Sequence, residues 1–254
     1  MDCAGGRAKY HSAVHVSRSI VQFAEIFGEV GTYISTPDSA AASITGSIDL
    51  RATVAADYSP SSSAILISKD DGGADDSYLF WIESDSKLYF RYSPDGTAKR
   101  TATSSVTISQ ADFTKVHFRA TYNSSTGKVN FYTSTIDLDT WTALGAEQSI
   151  TAGSIFDGAE AVTIGLQSGG TASLGLIGKV YRAQIYNGIN GTLAVDYNAN
   201  DYDTGLTQTS SETSEVWTYN GNASVFSPYS RWVTLDGTGD YVSTPDSAAA
   251  SVTM

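Results

Sequence analysis

At 254 residues, with 41% hydrophobic and 11% aromatic side chains, the chain has the apolar content of a packed domain and not of a disordered one. Fifteen Lys and Arg against 27 Asp and Glu leave a net charge of −12, which repels phosphate backbones and argues against nucleic acid as a partner. No run approaches the ~18 apolar residues of a membrane-spanning helix, and a single cysteine, Cys3, leaves no internal disulfide.

Residues 1–23 read as a leader. Ala13, Val16, Ile20, Phe23 and Phe27 are spaced three, four, three and four apart, a helical stripe that predicts a short amphipathic helix over 12–24, with a disordered tail as the equal alternative. Met1–Arg18 lacks the apolar core of a signal peptide. Cys3, His11 and His15 lack the fourth ligand and the rigid frame of a zinc site.

From Ile48 the pattern changes to period two. Ile48, Leu50, Ala52 and Val54 alternate with polar residues, as in a half-buried strand. A short apolar strand over 64–68 ends in the acidic turn Asp70-Asp71-Gly72-Gly73-Ala74-Asp75-Asp76. Residues 78–83 and 87–92 pair as a hairpin around Ser84-Asp85-Ser86. Pro94-Asp95-Gly96 reads as a turn, with proline fixing φ and glycine accepting positive φ. Val116, Phe118, Ala120 and Tyr122 alternate again, and Asn123-Ser124-Ser125-Thr126-Gly127 turns the chain into a strand over 128–133. Further strands are expected at 140–144, 161–166, 176–186, 193–197 and 215–219. Many short strands and almost no helix predict an all-β fold, an antiparallel β-sandwich of jelly-roll type.

The chain also repeats itself. The thirteen residues from Tyr33 to Thr45 return from Tyr241 to Thr253, with only Ile34 and Ile44 replaced, by Val242 and Val252. The offset of 208 is the size of a sandwich domain and too long for a solenoid. The expected organisation is therefore a leader over 1–23, one domain over 24–231, and the start of a second copy over 232–254. That partial copy cannot bury its own apolar face. It is expected to be disordered, to pack on the first domain, or to be donated to a neighbouring chain as a swapped or added strand, with Tyr241, Val242, Ser243, Thr244 and Pro245 as the expected assembly residues.

The order of motifs resembles the laminin-G-like, concanavalin A-like jelly-roll family. Leu235–Asp246 resembles that family's first strand and turn. Ile67-Ser68-Lys69-Asp70-Asp71-Gly72-Gly73 with Tyr78-Leu79-Phe80 resembles the second signature, and 117–122 with 129–134 the third. A narrower resemblance, carried by 139–145, 162–165, 195–202 and 216–223, is to such domains in bacteriophage virion proteins. The resemblance implies a non-catalytic structural or decoration protein of a virion, associating with itself or other virion subunits and contacting host glycans. The alternative is a secreted or cell-surface carbohydrate-binding adhesin, with calcium as a candidate ligand.

Candidate chemistry is sparse. Sandwich glycosidases set alternating carboxylates on one strand face, and the nearest approach here, Glu83-Ser84-Asp85-Ser86-Lys87, has a lysine where the last acid belongs. No Gly-x-Ser-x-Gly elbow is present, and His117 reads as a sheet-face residue and not a base. The sequence thus predicts no enzyme. Asp70, Asp71, Asp75 and Asp76 share a glycine-containing loop of the kind that holds calcium. Tyr78, Tyr92 and Trp141 are the candidate aromatic platforms for a glycan.

Overall fold

The computed structural model describes residues 22–168 and 175–226. The expected helix over 12–24 falls largely outside them, as do the second copy and the assembly residues Tyr241–Pro245. The end of the helical stripe lies inside, and it is extended: Phe23–Phe27 form strand β1, with Ala24 and Ile26 buried. A spacing of four also places Phe23 and Phe27 on one side of a strand, so the stripe fits either period there.

Sixteen further strands follow in chain order among the described residues. They begin with β2 Tyr33–Thr36, β3 Ile48–Ala56, β4 Ala64–Lys69, β5 Asp76–Ile82, β6 Leu88–Gly96 and β7 Arg100–Thr103. Next come β8 Val116–Asn123, β9 Lys128–Ser134, β10 Thr142–Ala143, β11 Gln148–Ser149 and β12 Val162–Gly165. The last are β13 Ile177–Asn187, β14 Thr192–Asn198, β15 Thr207–Thr209, β16 Val216–Asn220 and β17 Ser224–Phe226. A single turn of 3-10 helix, Ala199–Asp201, follows β14.

All pairings are antiparallel and build two sheets. One runs β10-β9-β8-β3-β13-β1-β17, with β11 also on β9 and β14 also on β13; the other runs β15-β16-β2-β12-β4-β5-β6-β7. Register follows from the alternation already visible in the sequence. Ile48 pairs with Tyr122, Leu50 with Ala120, Ala52 with Phe118 and Val54 with Val116, so every apolar rung faces inward. A one-residue slip would turn all of them outward.

One continuous core lies between the sheets. Tyr92 of β6 stacks on Tyr122 of β8 with centroids 4.6 Å apart, and Phe90 on Tyr122 at 5.5 Å, so aromatic contacts bridge the two layers. Each such pair adds roughly 0.5–1.5 kcal/mol beyond the area it buries.

The expected turn at Pro94-Asp95-Gly96 is instead the end of β6. Between Tyr78↔Tyr92 and Asp76↔Gly96 the register shifts, so the proline sits in a bulge where no ladder donor is needed. Gly96, at φ +89°, passes so close to the Ala74 carbonyl that a Cβ would stand 2.6 Å from it. The reversal comes one step later, where the Asp95 carboxylate accepts from the backbone N–H of Thr97 (3.0 Å) and Ala98 (2.7 Å).

A candidate ligand face around Trp141

In the sheet containing β3, the residues between the buried apolar ones point to the outer face, and they form polar rungs across several strands. The central rung is Asp196–Gln184–Arg51–Arg119–Tyr132, one residue each from β14, β13, β3, β8 and β9. On one side lies Tyr186–Asp49–Thr121–Asn130, and on the other Arg182–Thr53–His117–Ser134. An outer sheet face is ordinarily wet, yet Asp49, Arg51, Thr53, His117, Arg119, Thr121, Gln184 and Asp196 are all buried.

Burial of that much polarity requires partners, and Asp49 is the hub. Its carboxylate accepts from Arg51 Nε (3.2 Å) and Nη2 (2.9 Å), and from Arg119 Nε (2.9 Å) and Nη2 (2.7 Å). The Asn190 backbone N–H adds a donor at 3.2 Å, while the Asn190 side-chain oxygen accepts from both guanidiniums. Burial pushes the Asp49 carboxyl up, but the hydrogen bonds and charges of the two arginines outweigh it and hold it below the usual range. Asp196 shows the opposite balance: burial dominates, Arg182 offsets it incompletely, and the carboxyl stays raised. Thr53 Oγ1 and His117 Nδ1 share a hydrogen bond at 2.8 Å, and burial, with the charge of Lys115, lowers the imidazole pKa. Gln184 Oε1 is a buried acceptor with no partner among the described residues.

Aromatic rings close around this charged floor. Arg51 lies 4.2 Å from the ring centroid of Tyr186 and 5.8 Å from that of Trp141. Arg119 lies 5.2 Å from Tyr132 and 5.6 Å from Trp141. One indole therefore spans both guanidiniums, and Trp141, Tyr132 and Tyr186 all remain half-exposed. The paired cations hold the rings in place, and the rings' remaining surface is open to a ligand.

Of the three platforms read from sequence, only Trp141 is on this face. Tyr78 and Tyr92 are fully buried between the sheets, and their hydroxyls donate to the Ala42 and Thr151 carbonyls, so neither offers a ring to a ligand. They lie on the β5 and β6 rung Tyr78↔Tyr92, which faces inward. Sequence reasoning misses Tyr132, Tyr186 and the arginine pair. The signal for them is the polar phase of the same alternation that identifies the core.

The acidic loop also differs from expectation. Asp70 is buried and takes both Nε (3.0 Å) and Nη2 (2.6 Å) of Arg91, besides the side-chain amide of Gln167. Asp76 Oδ1 accepts from the Gly72 N–H at 2.8 Å, and its Oδ2 lies 3.1 Å from the Lys99 ammonium. Asp75 accepts from the Ala159 N–H and Asp71 from the Gly73 N–H. These carboxylates pair with protein cations and amides, and among the described residues no three His, Cys, Asp or Glu converge as a metal site. Glu83 lies next to the hairpin turn and accepts from the Ser63 hydroxyl (2.7 Å) and Trp81 Nε1 (3.0 Å).

A cleft of about 250 Å³ lies elsewhere, between β1 and β13, lined by Phe27, Phe113 and Ile177 with Glu25 and Lys179. It is apolar and offers few of the convergent polar groups that orient a small ligand.

No family model matches the chain, and no curated protein matches it. Solved structures do. A Bacteroides ovatus protein, provisionally described as carbohydrate-binding, superposes with a TM-score of 0.57 at 14% identity, over 82% of this chain and 60% of its own. The mouse laminin alpha1 LG4-5 domains give 0.48 at 13% identity, over 76% of this chain and 48% of theirs. The CBM40 module of a Ruminococcus gnavus sialidase, solved with alpha2,3 sialyllactose, gives 0.45 at 12%, over 66% of this chain and 92% of its own. The chain thus spans less than two thirds of the Bacteroides protein, and the likeness is one of fold. Two antiparallel sheets, their strand order and the superposition on the Bacteroides protein make the chain an antiparallel β-sandwich of jelly-roll type.

Proposed function

We propose that the chain is a non-catalytic carbohydrate-binding module, secreted or displayed at a surface, whose ligand lies against Trp141 on the outer face of the β3 sheet. The observation that carries this reading is the half-exposed indole held over the Arg51–Arg119 pair. Sugars are bound by an aromatic ring against their apolar face and by fixed polar groups at their hydroxyls. Trp141, Tyr132 and Tyr186 supply the rings. The Asp49-centred network, Asn130 and Asn190 supply donors and acceptors already held in place, which lowers the entropic cost of binding. The description of the Bacteroides ovatus protein agrees with this assignment.

The test is glycan-array screening followed by calorimetry on the best ligand. Trp141→Ala is expected to weaken binding at least tenfold, about 1.4 kcal/mol, while the circular dichroism spectrum stays that of the parent. Undiminished binding by a folded Trp141→Ala protein overturns the assignment. Because the acidic loop spends its carboxylates on Arg91, Lys99 and backbone amides, binding is expected to be unchanged in EDTA. A loss of affinity on chelation that calcium restores would return that loop to consideration.

A second reading, a decoration subunit of a virus particle, is favoured by the recurrence of Tyr33–Thr45 at Tyr241–Thr253. Its test is the mass in solution by light scattering, with and without residues 232–254. An oligomer that falls to monomer on truncation supports it, and a monomer in both cases removes it.

A further inference from the structure

Large apolar side chains gather in the open at one end of the outer face of the β3 sheet. Phe27 of β1 and Ile177 of β13 lie opposite each other and are 48% and 45% exposed, and Phe113, just before β8, is 60% exposed. All three line the cleft between β1 and β13. Further along the same strand pair Phe23 packs on Tyr181, with centroids 5.7 Å apart, and stacks on the exposed Phe226. Single exposed apolar residues are ordinary, but a contiguous group of them marks a surface that something covers.

Phe113 is held there against its backbone preference. Its φ is +60°, a region that bulky L residues rarely enter. Three contacts fix the segment. The Phe113 N–H donates to the Ala56 carbonyl (2.8 Å), the Asp112 carboxylate accepts from the Tyr58 N–H (2.8 Å), and the Thr114 carbonyl accepts from the Tyr58 hydroxyl (2.6 Å). The surrounding structure thus presents the ring to solvent in a strained conformation, and such strain collects at binding surfaces.

The charges on this face identify the occupant. Glu25 and Lys179 lie opposite each other across β1 and β13, where unlike charges ordinarily pair. Here they stay apart: Lys179 Nζ sits 4.2 Å from the centroid of the Phe23 ring, and Glu25 has no cation partner among the described residues. The strand pair is therefore self-complementary. A two-fold axis running along the strands, midway between β1 and β13, carries β1 of a second copy over β13 of the first and keeps every residue at its own level. Glu25 then meets Lys179, Phe27 meets Ile177, and Phe23 meets Tyr181, each contact occurring twice. The cleft beside Ile177 and Phe113 holds about 250 Å³, and an apolar cavity of ~150 Å³ is enough for a benzene ring, so the phenyl group of the second copy's Phe27 has a place to enter.

We propose that a second copy of this chain docks on the outer face of β1 and β13, giving a closed two-fold dimer with Phe27 seated against Ile177 and Phe113 and with Glu25–Lys179 ion pairs across the axis. The dimer does not depend on glycan binding. Lys179 and Tyr186 are seven residues apart along β13, roughly 23 Å at the rise of a strand, so the face around Trp141 stays open in both copies.

The test is sedimentation equilibrium of the full-length chain over a wide range of concentration, with circular dichroism confirming that each variant is folded. A monomer–dimer equilibrium is expected, with no larger species, because an isologous contact closes on itself. Phe27→Ser and Phe113→Ser should each weaken the dimer at least tenfold. Glu25→Lys should also weaken it, as should Lys179→Glu, since each places like charges together twice per dimer. Combining the two reversals restores the pairing in the opposite sense and should bring the dissociation constant back to within a few-fold of the parent. A parent that is monomeric at every concentration overturns the proposal. So does a dimer indifferent to Phe27→Ser, or one that the double charge reversal fails to rescue.

Discussion

Asp49 shows how much a single buried carboxylate holds. Two guanidiniums and a backbone amide converge on it, and none of these side chains has more than a tenth of its surface in water. Removing one partner of such a cluster leaves charge stranded, typically at about 3–5 kcal/mol. Asp49→Asn is therefore expected to lower the stability measured by urea unfolding by roughly that amount, and to release Trp141 with it. Titration adds a second signature. His117 is lowered in the folded state, so the folded chain binds its proton less readily than the unfolded chain does, and stability declines as pH falls below ~6.5. Asp49 is likewise lowered, so its contribution is complete above ~3.9 and is lost as pH falls through its folded value. Asp196, being raised, acts in the other direction: it favours the folded state in acid and loses that advantage as pH rises through its folded value. Urea midpoints between pH 8 and 3 should accordingly fall in two stages. His117→Gln should remove the first stage and leave the second, and a single stage in the parent would refute the assignment to His117.

At the level of elements, most of the longer strands are legible in the sequence: those expected at 64–68, 128–133, 161–166, 176–186, 193–197 and 215–219 fall on β4, β9, β12, β13, β14 and β16. β3 and β8 can be placed to within two residues because their apolar positions recur every second residue, and the β5–β6 hairpin follows from its loop. Asp76–Ile82 is apolar on both phases, so its sequence does not reveal which face points inward, and Tyr78 reads as a surface ring although it never reaches the surface. The two- and three-residue strands β10, β11, β15 and β17 exist only because longer neighbours supply an edge for them. Pro94-Asp95-Gly96 misleads for a related reason: the residues that make a tight turn also make a bulge. The candidate ligand face is half legible. Trp141 can be singled out, but Tyr132 and Tyr186 come from β9 and β13, which meet only through β8 and β3, and pairing partners of that range are not encoded locally. Backbone geometry gives the test at this scale. Gly178 of β13, at φ +146°, leaves no room for a Cβ, which would lie 2.4 Å from the Ala55 carbonyl oxygen and 2.6 Å from Ala56 Cα. Gly31, at φ +82°, faces open space. Gly178→Ala should cost more than ~2 kcal/mol by denaturation and Gly31→Ala only about 1.

Across the whole molecule, β13 is the member on which the first sheet depends. It pairs along its length with β3 on one side, while its other side is shared between β1 near its start and β14 near its end. Amides of β13 and β3 should therefore be the last to exchange with deuterium, and those of β17 and β15 among the first. The opposite order would mean that the two sheets do not open as one cooperative unit.

The pairing of β1 with β17 has a mechanical consequence. The two strands are antiparallel, and Phe23 lies opposite Phe226 with rings stacked 5.4 Å apart, so the first and last described strands leave the domain from the same spot. Tension applied through residues 22 and 226 would act across that ladder and not along it. The hydrogen bonds between β1 and β17 would then break in succession, as in a zip, where strands pulled lengthwise would resist together. Under such load the first response would be the peeling of a three-residue strand, lengthening the molecule slightly while the rest of the sandwich stays whole.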